Sequence, residues 1–214
     1  MKNRLLTLLV AISAAAFLST ASAQTSRATL GDPNKTRLAF PETEQDISKL
    51  PKFCQVRLRH KRPQYKQLAE SWAARVGREN WVHMHHYCFG LHQTRLAPLQ
   101  RDPKRRTTAY QRSIKEFSYI LSRATPRWPY LAQGYYNRGR SYLEVGATAA
   151  ALRDLNHAIK LKPRASAPYL ALSRFYEKTG QAKRAVGILN EGIRQSPKSK
   201  ALKRRLARLE NKKT

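Results

Sequence analysis

Five of the chain's eight histidine and cysteine side chains fall between His83 and His92, in the run His83-x-His85-His86-x-Cys88 followed by His92. On a helix, His85, Cys88 and His92 share one face, because spacings of three, four and seven residues return to the same side. Imidazole and thiolate together suit zinc or copper, so the trio is a candidate metal site, with Cys54 or His60 as the obvious further donors. The competing chemistry is a disulfide between Cys54 and Cys88, the chain's two cysteines. An even count in an oxidising compartment favours the bond. The disulfide is the expected arrangement and the metal site the alternative. If the bond forms, Cys88 cannot ligate, and the histidines become a packed aromatic face that titrates near neutrality. No Cys-x-x-Cys-His, His-Glu-x-x-His, phosphate loop or nucleophile–base pair occurs, and Glu70 and Glu79 have no evident catalytic partner. No enzyme and no cofactor are expected.

Export is expected from the first residues. Lys2 and Arg4 precede an apolar run from Leu5 to Leu18, and Ala21-Ser22-Ala23 has the small-x-small form of a cleavage site. The reading is a signal peptide over 1–23 and a periplasmic or secreted protein, with no stable membrane span after cleavage. The whole chain carries a formal net charge of +29. Residues 24–50 are balanced, with four basic and four acidic side chains, so the excess lies beyond them. Such a surface attracts acidic partners over roughly 8–10 Å at ordinary salt. Arginines outnumber lysines, which leans toward bidentate recognition of carboxylate or phosphate.

The elements that must position these groups are helical. Residues 24–45 show no helical period and read as a flexible leader. Residues 46–78 form an N-terminal helical extension, in which Tyr65, Leu68, Trp72 and Val76 fall on one stripe and Gly77 marks a stop. A helix is predicted over 79–97, a basic loop over 98–108, and a further helix over 109–124. Beyond them one pattern occurs twice at a separation of 34 residues. Tyr135, Gly139, Tyr142, Gly146, Ala151, Leu155, Ala158 and Pro163 are followed in register by Tyr169, Ser173, Tyr176, Gly180, Ala185, Leu189, Gly192 and Pro197. Helix–turn–helix units of this kind cannot bury their apolar faces alone and must stack.

The length and residue pattern resemble the tetratricopeptide repeat family. The resemblance covers 132–164 and 166–198, and it extends to a degenerate repeat with an insertion over 79–125. Residues 199–214 then serve as a capping helix and basic tail. It implies an all-α fold, a short right-handed α-solenoid with an N-terminal helical extension. Two positions depart from the family pattern, Arg138 for a large apolar residue and Gly192 for Ala, and both are expected to weaken packing locally.

The resemblance also implies function. Outward positions of each first helix usually hold the ligand, which places Tyr136, Arg140 and Glu144 of one repeat beside Leu170, Arg174 and Lys178 of the next. Gln133, Leu143, Ala167 and Glu177 occupy further outward positions. Arg140 and Arg174 are equivalent and suit a carboxylate. The family's terminal-carboxylate groove uses Lys and Asn where this chain has Tyr136 and Arg140, so that activity is not carried over. The leading expectation is an adaptor for an acidic partner protein or peptide, serving assembly or maintenance of an envelope complex. The second is a binder of acidic polysaccharide or lipid phosphate through Lys104-Arg105-Arg106 and Lys203-Arg204-Arg205. Nucleic acid is not expected, because no aromatic residues interleave with the basic runs.

Overall fold

Helices succeed one another along the chain and each packs mainly on its sequence neighbours. The structure is a computed structural model that describes residues 40–41 and 43–211. The predicted signal peptide, most of the leader and the last three residues lie outside the described residues. Ten α-helices follow: α1 Glu44–Ser48, α2 Lys52–Arg59, α3 Lys66–Val76, α4 Arg78–Leu96, α5 Pro103–Leu121, α6 Leu131–Glu144, α7 Thr148–Leu161, α8 Ser166–Lys178, α9 Ala182–Gln195 and α10 Lys200–Glu210. There is no strand among the described residues.

Helix pairs α4–α5, α6–α7 and α8–α9 pack as consecutive hairpins, and α4 also meets α6, α6 meets α8, and α8 meets α10. First helices therefore stack on first helices, the arrangement of an α-solenoid. The turns between paired helices repeat as well. Gly146 and Gly180 adopt φ of 78° and 72°, a left-handed conformation that side chains disfavour. After each glycine the chain bonds back over five residues, Ala147 N–H to the Tyr142 carbonyl and Gln181 N–H to the Tyr176 carbonyl. These are Schellman ends, which satisfy carbonyls that the helix leaves free.

The core changes character along the solenoid. Around α2–α5 it is aromatic, with Phe53, Tyr87, Phe117 and Trp128 packed about Met84 and Ile120. Between the two clean repeats it is Leu155, Ala171 and Leu172. At the far end, Tyr169, Ala185 and Leu189 are closed over by Leu202 of α10. Ser199 caps α10 by accepting from the Leu202 N–H.

Four expectations change. The basic segment 98–108 is not all loop: α5 starts at Pro103 because Asp102 accepts from the Lys104 N–H and proline suits the first helical position. On α3 the predicted Val76 is buried and Tyr65 and Trp72 pack part-buried against the aromatic core, but Leu68 is exposed and Ala69 and Ala73 are buried in addition. Arg138 does not loosen the packing. Its guanidinium grips Asp154 at 2.7 and 2.9 Å, reaches Ser118 Oγ at 3.1 Å and lies between Tyr135 and Tyr142. Gly192 is where α9 comes closest to its neighbours: a Cβ there would sit 2.8 Å from Tyr169 Cγ and 3.1 Å from Leu202 Cδ1. The missing methyl group is what lets Tyr169 be fully buried.

Candidate functional site

A cleft of about 340 Å³ lies between α6 and α8. Its charged rim comes from Arg140 and Glu144 on α6 and from Arg174 and Lys178 on α8, and its apolar floor from Leu143, Ala171 and Phe175, with Thr179 at one end. The geometry follows from the repeat. Residues one repeat apart project alike, so Arg174 stands to α8 as Arg140 stands to α6, and Lys178 as Glu144. Each pair lies one helical turn apart on its helix, which keeps both groups on one side.

The rim is exposed and its charges are uncommitted. Among the described residues, Arg140, Glu144, Arg174 and Lys178 form no ion pair. By contrast Arg138 is tied to Asp154, and Arg205 of α10 to Glu177. The Arg140 guanidinium lies over the Tyr136 ring, 5.7 Å from its centroid. Tyr136 itself is half-buried against the Leu155–Leu172 core. On the flank, burial and then the Glu144 carboxylate push the Tyr110 phenol above its usual pKa.

The sequence-predicted positions divide. The structure brings together Arg140, Glu144, Arg174 and Lys178, with Leu143 beneath and Tyr136 behind Arg140. Leu170 packs on the Tyr169–Leu189 core instead, and Glu177 faces α10. Ala171, Phe175 and Thr179 line the cleft without having been singled out. Their signal was available: with Arg174 and Lys178 they form a stripe at spacings of three and four on α8.

The histidine face has a different organisation. Cys54 and Cys88 are joined by a disulfide that ties α2 to α4. The sulfur of Cys88 is thereby committed, and the trio with His85 and His92 is reduced to two imidazoles. Each of those sits beside a guanidinium: His85 Nδ1 is 3.1 Å from Arg57, and His92 Nδ1 is 3.3 Å from Arg95. A neighbouring cation disfavours a metal ion. No group of three or more potential ligands is placed to hold one among the described residues. His86 instead reaches Glu116 at 2.6 Å and stacks on Tyr119, which Arg123 covers from beyond at 3.8 Å. Burial, and then the charges of His86 and Arg57, push His85 down to about 4.

The two basic runs are partly spent on structure. Arg105 lies 3.7 Å from the capping Asp102, and Arg205 meets Glu177, while Lys203 and Arg204 stay exposed. No described helix is long and apolar enough to cross a membrane.

Residues 142–209, from the end of α6 through α10, match the family described as tetratricopeptide repeat. No curated protein matches the chain significantly.

Proposed function

We propose, on the premise that this chain is a tetratricopeptide-repeat protein over residues 142–209, that it is an exported adaptor that holds an acidic partner protein. The family fold supports binding to another protein in general, and repeats of this kind usually scaffold and do not catalyse. The observation that carries the finer reading is the α6–α8 cleft, where Arg140, Arg174 and Lys178 line an apolar floor and form no ion pair among the described residues. Uncommitted cations around an apolar centre are what a protein interface needs, an anchor pocket with a charged surround. Export is supported by the basic start, apolar run and cleavage triplet of the sequence, and by a disulfide of the kind that persists in oxidising compartments. An envelope assembly is the corresponding setting. The α4–α5 hairpin, which stacks on α6 as α6 stacks on α8, acts in this reading as the first, irregular repeat.

The test is site-specific photo-cross-linking in cells. A photoreactive residue at Thr179, in the cleft, is compared with one at Lys183, exposed on α9. Adducts to a defined protein from position 179 and none from 183 are expected. Equal labelling at both positions would overturn the cleft as the docking site.

A second reading is favoured by the net charge of +29, which attracts any polyanion. It predicts binding that collapses with salt and that depends as much on Arg204 and Arg208 as on the cleft.

A further inference from the structure

We infer that the α6–α8 cleft takes an extended peptide in one orientation, with an Asp or Glu side chain between Arg140 and Arg174 and the adjoining aromatic side chain on the floor of Leu143, Ala171 and Phe175. The inference rests on the adaptor reading of the same cleft and adds its ligand.

The repeat register orders the rim into two levels. At the first stand two arginines, Arg140 and its equivalent Arg174. One turn further along each helix stand Glu144 and its equivalent Lys178, opposite charges. A carboxylate at the first level meets two guanidinium forks, each able to bind it bidentately. At the second level it meets one ammonium and one like charge, so the attraction of Lys178 is offset by Glu144. The potential therefore falls from doubly positive to balanced along the cleft, and that gradient orients an acidic segment and gives no net attraction to a second carboxylate placed beyond the aromatic side chain. The Tyr136 ring under Arg140 holds that guanidinium by cation–π attraction.

The floor selects the rest. A polyanion without apolar groups would bring its charge to the rim and leave Phe175 and Leu143 uncovered. An aromatic side chain covers them and excludes water around the ion pairs, which strengthens both. The size fits this occupant. A volume of about 340 Å³ is near the lower end of the roughly 300–1,000 Å³ of ligand pockets, room for one large side chain and its backbone and not for a folded surface.

The test uses the full chain, purified without reductant, and fluorescence anisotropy of peptides capped at both ends. The reference peptide has one Asp followed by Phe among Ser and Gly. Replacing its Asp by Asn, or its Phe by Ser, is expected to weaken binding on the order of tenfold each. A second Asp placed two residues after the Phe is expected to add nothing with the natural protein, and to strengthen binding to Glu144→Gln. Arg140→Gln combined with Arg174→Gln should abolish binding; both residues are exposed, so the fold is not at risk. Arg204→Gln with Arg208→Gln on α10 should leave it unchanged. Four results overturn the inference: no binding of the reference peptide, equal binding without the Phe, an equal loss from the α10 pair, or equal binding of an Asn peptide with a free C-terminal carboxylate. Cross-linking at Thr179 is independent of these peptides. A partner captured there while the peptides fail would remove this ligand and leave the adaptor reading in place.

Discussion

Single residues carry more of the specificity here than their family positions suggest. Arg138 is the clearest case. Its pair with Asp154 is largely buried, with side chains 18% and 8% exposed. Removing one partner strands the other charge, so Asp154→Asn should lower stability by about 3–5 kcal/mol in chemical denaturation. The double replacement Arg138→Met with Asp154→Leu should cost clearly less, because it leaves no unpaired charge behind. His85 gives a second handle. Its folded-state pKa, pushed down to about 4, lies below the ordinary value of about 6.5. Unfolding then takes up a proton at His85 between those values, so the contribution of His85 to stability should be constant above about pH 6.5 and be lost as pH drops toward 4. A series of urea midpoints across that window, compared with His85→Gln, isolates the contribution; equal slopes in both proteins would assign the loss to other groups. Arg138 and Gly192 also mark where sequence reasoning stops. An arginine at an apolar family position reads as a defect until a carboxylate 16 positions later proves to be its partner. A glycine for an alanine reads the same way until Tyr169 is seen against it. Both partners are fixed by tertiary contact, which no local pattern displays.

At the scale of elements, legibility followed periodicity. The two clean repeats were readable because their small residues, their glycine ends and their prolines recur in register. The four charged rim residues of the cleft were readable for the same reason. Less regular segments misled where two local signals competed. On α3 the large residue Leu68 suggested the core face, yet it is exposed while Ala69 and Ala73 are buried beside Trp72, which packs against Phe53. In 98–108 a run of basic residues masked the stronger cap of Asp102 and Pro103. The Cys54–Cys88 bond gives this end a prediction of its own. It closes a loop spanning 34 residues, for which loss of chain entropy amounts to about 4 kcal/mol in the unfolded state. Cys54→Ala with Cys88→Ala should lower stability by about 2–4 kcal/mol. The loss should appear chiefly as faster amide exchange in α2, α3 and α4, with α8 and α9 little changed. Uniform loss across all helices would mean that the molecule unfolds as one unit.

Across the described residues, the helices form a row of neighbours closed at either end by different means. One end is held by a disulfide and an aromatic core, the other by the single helix α10 laid over Tyr169, Ala185 and Leu189. Deleting residues 199–214 should therefore expose that core, lower the thermal midpoint and promote association at micromolar concentration, measurable by light scattering. A truncated chain that stayed monomeric with an unchanged midpoint would deny α10 its role as a cover. The asymmetry has a mechanical consequence. A pull applied from the C-terminal end meets the least secured helix first, so the chain should peel in steps: α10, then α9 with α8, then α7 with α6. Each 34-residue repeat would release about 110 Å of extended chain at roughly 3.3 Å per residue. The residues between Cys54 and Cys88 could not lengthen at all while the bond lasts. A translocating or degrading motor drawing on this protein from its C-terminus would unravel the cleft early and stall at the covalent knot, with α2 to α4 still folded around it.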